Sequence, residues 1–209
     1  MTGIIAQNVG RTSGLIKAAS GGSGGVWTKI KEIIASADST IDFVDGTDDV
    51  VLDSTYPIYV FKFINIHPSD NGAHFSLIAS TDSGSSFGLT KTTTFFNAQH
   101  NESDIVTSLG YAGGKDLAQS TGRLYMNYET GNENDECISG TFTLYNPSST
   151  TFVKHFIGTS NTYYHGDYSI NAYIGGYFNT TSAINGIRFD FDNGTIDAGK
   201  IKLYGIGDS

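Results

Sequence analysis

The chain has 209 residues, 12 of them Lys or Arg and 21 Asp or Glu, for a net charge of −9. That length accommodates one β-sandwich or barrel with an appendage, and a single cysteine, Cys137, excludes an internal disulfide framework and accords with a reducing cytoplasm. Residues 1–31 hold Arg11, Lys17, Lys29 and Lys31 and no acid, whereas residues 32–209 hold the other 8 bases and all 21 acids and stand at −13, a charge that phosphates repel and that argues against a nucleic-acid partner.

Residues 1–25 read as an extended anchoring arm and Gly-rich linker. Gly3, Gly10, Gly14 and the run Gly21–Gly25 break any helix. The arm has two apolar pairs, Ile4-Ile5 and Leu15-Ile16, and two bases, Arg11 and Lys17. These six residues form the candidate partner-binding set: the apolar pairs bury on a protein surface and the bases meet its acids. The first residues offer no apolar core of a secretory signal, and no stretch approaches a membrane span, so no membrane partner is expected.

Residues 26–209 form the second unit, a β-sandwich domain. Val26–Ile34 fits either a strand or a helical stripe. Ile41–Val44 is a short strand. Tyr56–Ile66, apolar on both faces except at Lys62 and Asn65, predicts a central strand covered on both sides. Phe75–Thr81 follows, then weaker strands over Thr92–Ala98, Leu117–Thr121 and Tyr125–Tyr128. Thr141–Tyr145 and Phe152–Ile157 read as a hairpin around Asn146-Pro147-Ser148. Tyr168–Phe178 carries Gly175-Gly176, which predicts a bulge or bend. Last, Ile187–Asp192 and the segment from Ile196 through Leu203 predict a hairpin closed by a type I′ turn at Asn193-Gly194. That hairpin would point Asp190 outward and set Lys200 and Lys202 opposite Asp190 and Asp192. About ten short strands without a long helix or internal repeat predict an all-β fold, an antiparallel sandwich of the jelly-roll kind.

Chemistry-bearing patterns are sparse. His67, His74, His100, His155 and His165 fall in no metal-ligand spacing, and no nucleophile elbow, P-loop or dinucleotide fingerprint is present. Cys137 directly follows Asp135 and Glu136, a poor setting for a thiolate. No catalytic residue, cofactor or metal is therefore expected. Asp38, Asp42, Asp45, Asp48, Asp49 and Asp53 crowd one loop, where turn chemistry explains them more simply than Ca²⁺ does. Tyr163, Tyr164 and Tyr173 are candidate glycan-stacking residues.

INGIRFDFDNGTIDAGKIKLYGI (Ile184–Ile206), NVGRTSGLIKA (Asn8–Ala18) and the segment IDFVDGTDDVVLDSTYPIYVFKFINIHPSDNGAHFSLIASTD (Ile41–Asp82) resemble structural proteins of marine and cyanobacterial tailed bacteriophages. The resemblance implies a virion component assembled in the host cytoplasm and supplies no catalytic residues. The expectation is a capsid decoration protein, of the cement or head-fibre type, docked by its arm on the major capsid protein or a tail component. It would assemble as a symmetric homo-oligomer, with a trimer favoured. The alternative is a tail-associated fibre or adhesin module that binds host surface polysaccharide.

Overall fold

The computed structural model describes residues 26–207. Among them the chain forms twelve strands and no helix: β1 (Trp27–Ile34), β2 (Ile41–Val44), β3 (Ile58–Pro68), β4 (Phe75–Ser80), β5 (Lys91–Asn101), β6 (Thr107–Tyr111), β7 (Leu124–Tyr125), β8 (Ile138–Tyr145), β9 (Lys154–Tyr164), β10 (Tyr168–Phe178), β11 (Gly186–Phe191) and β12 (Ile196–Ile206). They make two antiparallel sheets, a large one ordered β1-β12-β3-β8-β9-β10-β5-β6 and a small one ordered β2-β11-β4-β7. The chain crosses between the sheets at most connections. Four neighbouring strands of the large sheet, β1-β12-β3-β8, and the four of the small sheet, β2-β11-β4-β7, have the strand order of two facing four-stranded sheets between which the chain alternates. This is the arrangement of a jelly roll, and β9, β10, β5 and β6 extend the large sheet beyond β8.

Period-two alternation places one set of side chains from each sheet in the space between them. From the large sheet come Phe61, Phe63, Phe142, Phe156 and Leu203, and from the small sheet Phe43, Phe75, Leu77 and Phe189, all fully buried. Phe189 stacks on Phe75 with centroids 5.6 Å apart, and Phe43 meets Phe61 edge-on at 5.2 Å. Each such ring contributes roughly 1.5–3 kcal/mol through burial alone.

Several local expectations are corrected. Val26–Ile34 resolves as a strand, paired with β12. β3 is central, between β12 and β8, but only its inner face meets the second sheet. Its outer residue Val60 is buried without a third layer among the described residues. Leu117–Thr121 forms no strand; its contact is an isolated bridge between Ser120 and Lys91. Thr107–Tyr111, unpredicted, is the edge strand β6.

The closing hairpin does not form. β11 lies in the small sheet between β2 and β4, whereas β12 lies in the large sheet between β1 and β3. Both strands point alternate apolar residues into one core, but from opposite sides, and local alternation does not distinguish these cases. Gly194 takes a positive φ of 76° that Asn193 does not share, so the turn is a corner between sheets rather than a type I′ link. Two register shifts in β12 follow it. Lys202 therefore pairs with Glu32 at 3.2 Å, and Asp190 is 4% exposed beneath Arg123 rather than outward.

Gly175-Gly176 makes no bulge, since β10 pairs in unbroken register with both β5 and β9. A Cβ on Gly176 would lie 2.4 Å from the Thr92 carbonyl oxygen and 2.9 Å from Phe156 Cζ, so this glycine permits close packing. A Cβ on Gly175 would meet only Thr94 Oγ1, at 3.7 Å.

Candidate functional site

The outer face of the large sheet is the most distinctive surface of the body. Strands β3, β8, β9, β10, β5 and β6 contain no Asp or Glu at all, although the body is strongly acidic. Its acids lie in loops and on β1, β2, β11 and β12. Cross-strand register sets Thr141, Thr159, Tyr173 and Phe96 in one row, and Thr143, Ile157, Gly175 and Thr94 in the next. Ile157 is 54% exposed, Phe96 42% and Tyr173 40%. Phe96 and Tyr173 stack with centroids 4.9 Å apart.

The missing side chain at Gly175 leaves a shallow, carbon-lined groove of about 440 Å³ between Ile157, Tyr145, His155, Tyr177 and Thr94. Toward β1, the Lys62 ammonium lies 4.5 Å from the Trp27 ring centroid, and Trp27 meets Tyr204 edge-on. The β1–β12 margin thus carries the positive charges of Lys62 and Lys202, with Glu32 as the nearby carboxylate. Scattered exposed apolar residues are ordinary, whereas a contiguous sheet face of this kind marks a contact surface.

The structure separates the three tyrosines singled out from sequence. Tyr173 lies on this outer face beside Phe96. Tyr163 is at the far end of β9, its hydroxyl 3.3 Å from both the Glu102 and the Asp167 carboxylates, which share its single proton as alternative acceptors. Burial and these two carboxylates push its phenol up to about 12. Tyr164, the next residue along, turns the other way and packs against Tyr128, Tyr168 and His165. No single sugar ring spans all three. The arm residues Ile4, Ile5, Arg11, Leu15, Ile16 and Lys17 lie outside the described residues.

The acid-rich loop is organised by hydrogen bonds within the fold. Asp42 takes a two-pronged contact from Arg188 at 2.6 and 2.7 Å. Asp45 accepts from the Leu52 amide, Asp53 from the Thr55 amide, and Asp38 from the Ser36 amide. Asp48 and Asp49 hold positive φ in the turn. Among the described residues no three His, Cys, Asp or Glu side chains are grouped to hold a metal ion. Burial, then Asp135, raises the Cys137 thiol pKa.

One polar cluster was not visible in the sequence, because its members are far apart in the chain. His74 Nδ1–H donates to Asp192 Oδ2 at 2.9 Å, and the His74 amide donates to Asp192 Oδ1. The Lys115 ammonium donates to His74 Nε2, and Glu129 lies between His74 and His165 at 3.8 and 3.3 Å. Burial first, then the Lys115 charge, lowers the His74 pKa, and an imidazole with its proton on Nδ1 satisfies both the Asp192 and the Lys115 contacts. This arrangement aims Lys115; it supplies no nucleophile.

Comparison with protein families, curated proteins and solved structures finds no match for the chain.

Proposed function

We propose that the protein is a structural component of a tailed-bacteriophage particle, a capsid decoration protein whose residues 1–25 anchor it and whose jelly-roll body is displayed as a homo-oligomer. The observation that carries the assembly part of this reading is the acid-free outer face of β3, β8, β9, β10, β5 and β6 in the large sheet. Copies of a body at −11 repel one another over most of their surface, and they repel least where six neighbouring strands carry no carboxylate and present Ile157, Phe96 and Tyr173. The occupant of that face is on this reading a second copy of this chain, in an oligomer of closed symmetry, with the trimer carried over from the sequence reading.

The anchoring part rests on the phage resemblance and on the basic, acid-free segment in front of an acidic body. Deleting residues 2–20 tests it: the shortened chain should fold and self-associate as before, yet fail to join particles. Unchanged incorporation would overturn the role of the arm.

A tail-associated adhesin is the second reading. The exposed Phe96–Tyr173 stack favours it, since a flat aromatic surface packs well against the C–H face of a sugar ring.

A further inference from the structure

The large sheet is wider than the small one, and its β5–β6 margin leaves an open cleft of about 330 Å³ near β7. That volume is at the lower end of the roughly 300–1,000 Å³ range of small-molecule sites. On the cleft floor, register sets Asn97 opposite Gly110 and Gln99 opposite Ser108. Lys115 and Tyr128 line it from the facing side, and Tyr111 forms its rim.

Asn97 is only 9% exposed. Neither polar atom of its side chain is among the buried ones left unpaired in the described residues, which are Thr162 Oγ1 and Asn171 Oδ1, and Asn97 lines the cleft together with Gln99, Ser108 and Tyr128. Here they converge on one opening.

The surroundings are fixed in advance. The Ala112 amide donates to the Phe95 carbonyl at 2.9 Å, and the Leu117 amide to Thr93 Oγ1 at 2.8 Å. The Tyr111 hydroxyl donates to Asp116 at 2.6 Å. The Asp192–His74 pair positions the Lys115 ammonium, which lies 5.2 Å from the Tyr128 ring centroid and 5.3 Å from that of Tyr125. Little ordering remains for a ligand to impose.

We propose that this cleft is a saccharide-binding site. Each amide offers a donor pair and an acceptor, the combination that satisfies neighbouring sugar hydroxyls, which are both donors and acceptors. Asn97 and Gln99 are two residues apart on one face, about 7 Å along the strand, a spacing comparable with the width of a pyranose ring. Ser108 contributes a third hydrogen-bonding group and Tyr128 a ring face for the sugar's C–H groups. The carboxylates of Asp192 and Glu129 beside His74 offset the charge of Lys115, so the site selects a neutral, hydroxyl-rich ligand over a phosphate. This inference does not depend on how copies of the chain assemble.

The test uses the full chain, labelled with ¹⁵N, titrated with glucose, galactose, mannose, N-acetylglucosamine and their common disaccharides. At least one sugar should shift the side-chain amide resonances of Asn97 and Gln99 at millimolar concentration. Gln99→Ala should weaken that binding roughly tenfold, the equivalent of one lost hydrogen bond. Gly110→Val should abolish it while leaving the fold intact, because a Cβ at this position meets nothing within 4 Å and a β-branched residue suits a strand. The proposal fails if no sugar shifts these amides at tens of millimolar. It also fails if the shifts fall on Phe96 and Tyr173, or on the β6 backbone alone, or if Gly110→Val binds as well as the parent.

Discussion

Phe96 on β5 and Tyr173 on β10 stack with their planes 10° from parallel, each ring open to solvent on the outer face of the large sheet. The pairing contributes about 0.5–1.5 kcal/mol beyond area burial, but it leaves both rings, and Ile157 nearby, without cover from the fold. Assembly of copies through this face would supply that cover.

A charge placed there should therefore act on assembly and not on folding. Ile157→Asp and Tyr173→Asp should each turn the oligomer into a monomer in sedimentation velocity. Ile157→Asp should change the stability of the separated body by about 1 kcal/mol or less, while Tyr173→Asp also forfeits the Phe96 stack and should cost about 0.5–1.5 kcal/mol more.

The adjacent glycines of β10 should respond in opposite ways. Gly176→Ala forces a methyl group against the Thr92 carbonyl and Phe156 and should cost about 1–3 kcal/mol or more through overpacking. Gly175→Ala projects into the outer groove at ordinary contact distance and should be neutral or stabilising by up to about 1 kcal/mol, since Ala loses less backbone entropy on folding than Gly does. Urea denaturation of the two variants measures the contrast.

This pair also shows what the sequence carries and what it withholds. Two glycines in a strand announce an irregularity, but only the neighbours decide whether it is a bulge, a close approach or a surface dip. Strand existence was largely legible, because alternation in Tyr56–Ile66, Thr141–Tyr145 and Tyr168–Phe178 reports directly on a half-buried sheet. Sheet membership was not: Ile187, Phe189 and Phe191 alternate with the same period as Ile201 and Leu203, yet they belong to opposite sheets. The acid-free strands were readable in principle, as a run of strand segments without Asp or Glu. The cleft and the Asp192–His74–Lys115 contacts were not, since their members lie 41 and 118 positions from His74.

Lys91 is fully buried, its ammonium donating to the Leu89 carbonyl at 3.0 Å beside Phe178. Burial pushes its pKa down from 10.5 to about 8. Between those two values the unfolded chain holds a proton that the folded chain has lost, so stability rises as pH increases from about 8 to 10.5. Lys91→Met should raise the melting temperature by a few degrees at pH 7 and flatten that rise. Thermal melts of both proteins from pH 7 to 10.5 check the sign.

His74 gives the opposite end of the pH scale. Burial and Lys115 hold its pKa below the ordinary 6.5, so on acidification the unfolded chain takes up a proton before the folded one does. Stability contributed by neutral His74 is present above about pH 6.5 and falls as pH drops through it. His74→Gln should lose less stability than the parent between pH 7.5 and 5.5, as read by denaturant midpoints at the two pH values.

The most direct test of the assembly reading is the mass of the purified full chain in solution, by light scattering at physiological salt. The account predicts a closed oligomer, three chains in the favoured case, that Ile157→Asp reduces to one. A parent protein that stays monomeric at high micromolar concentration would contradict it.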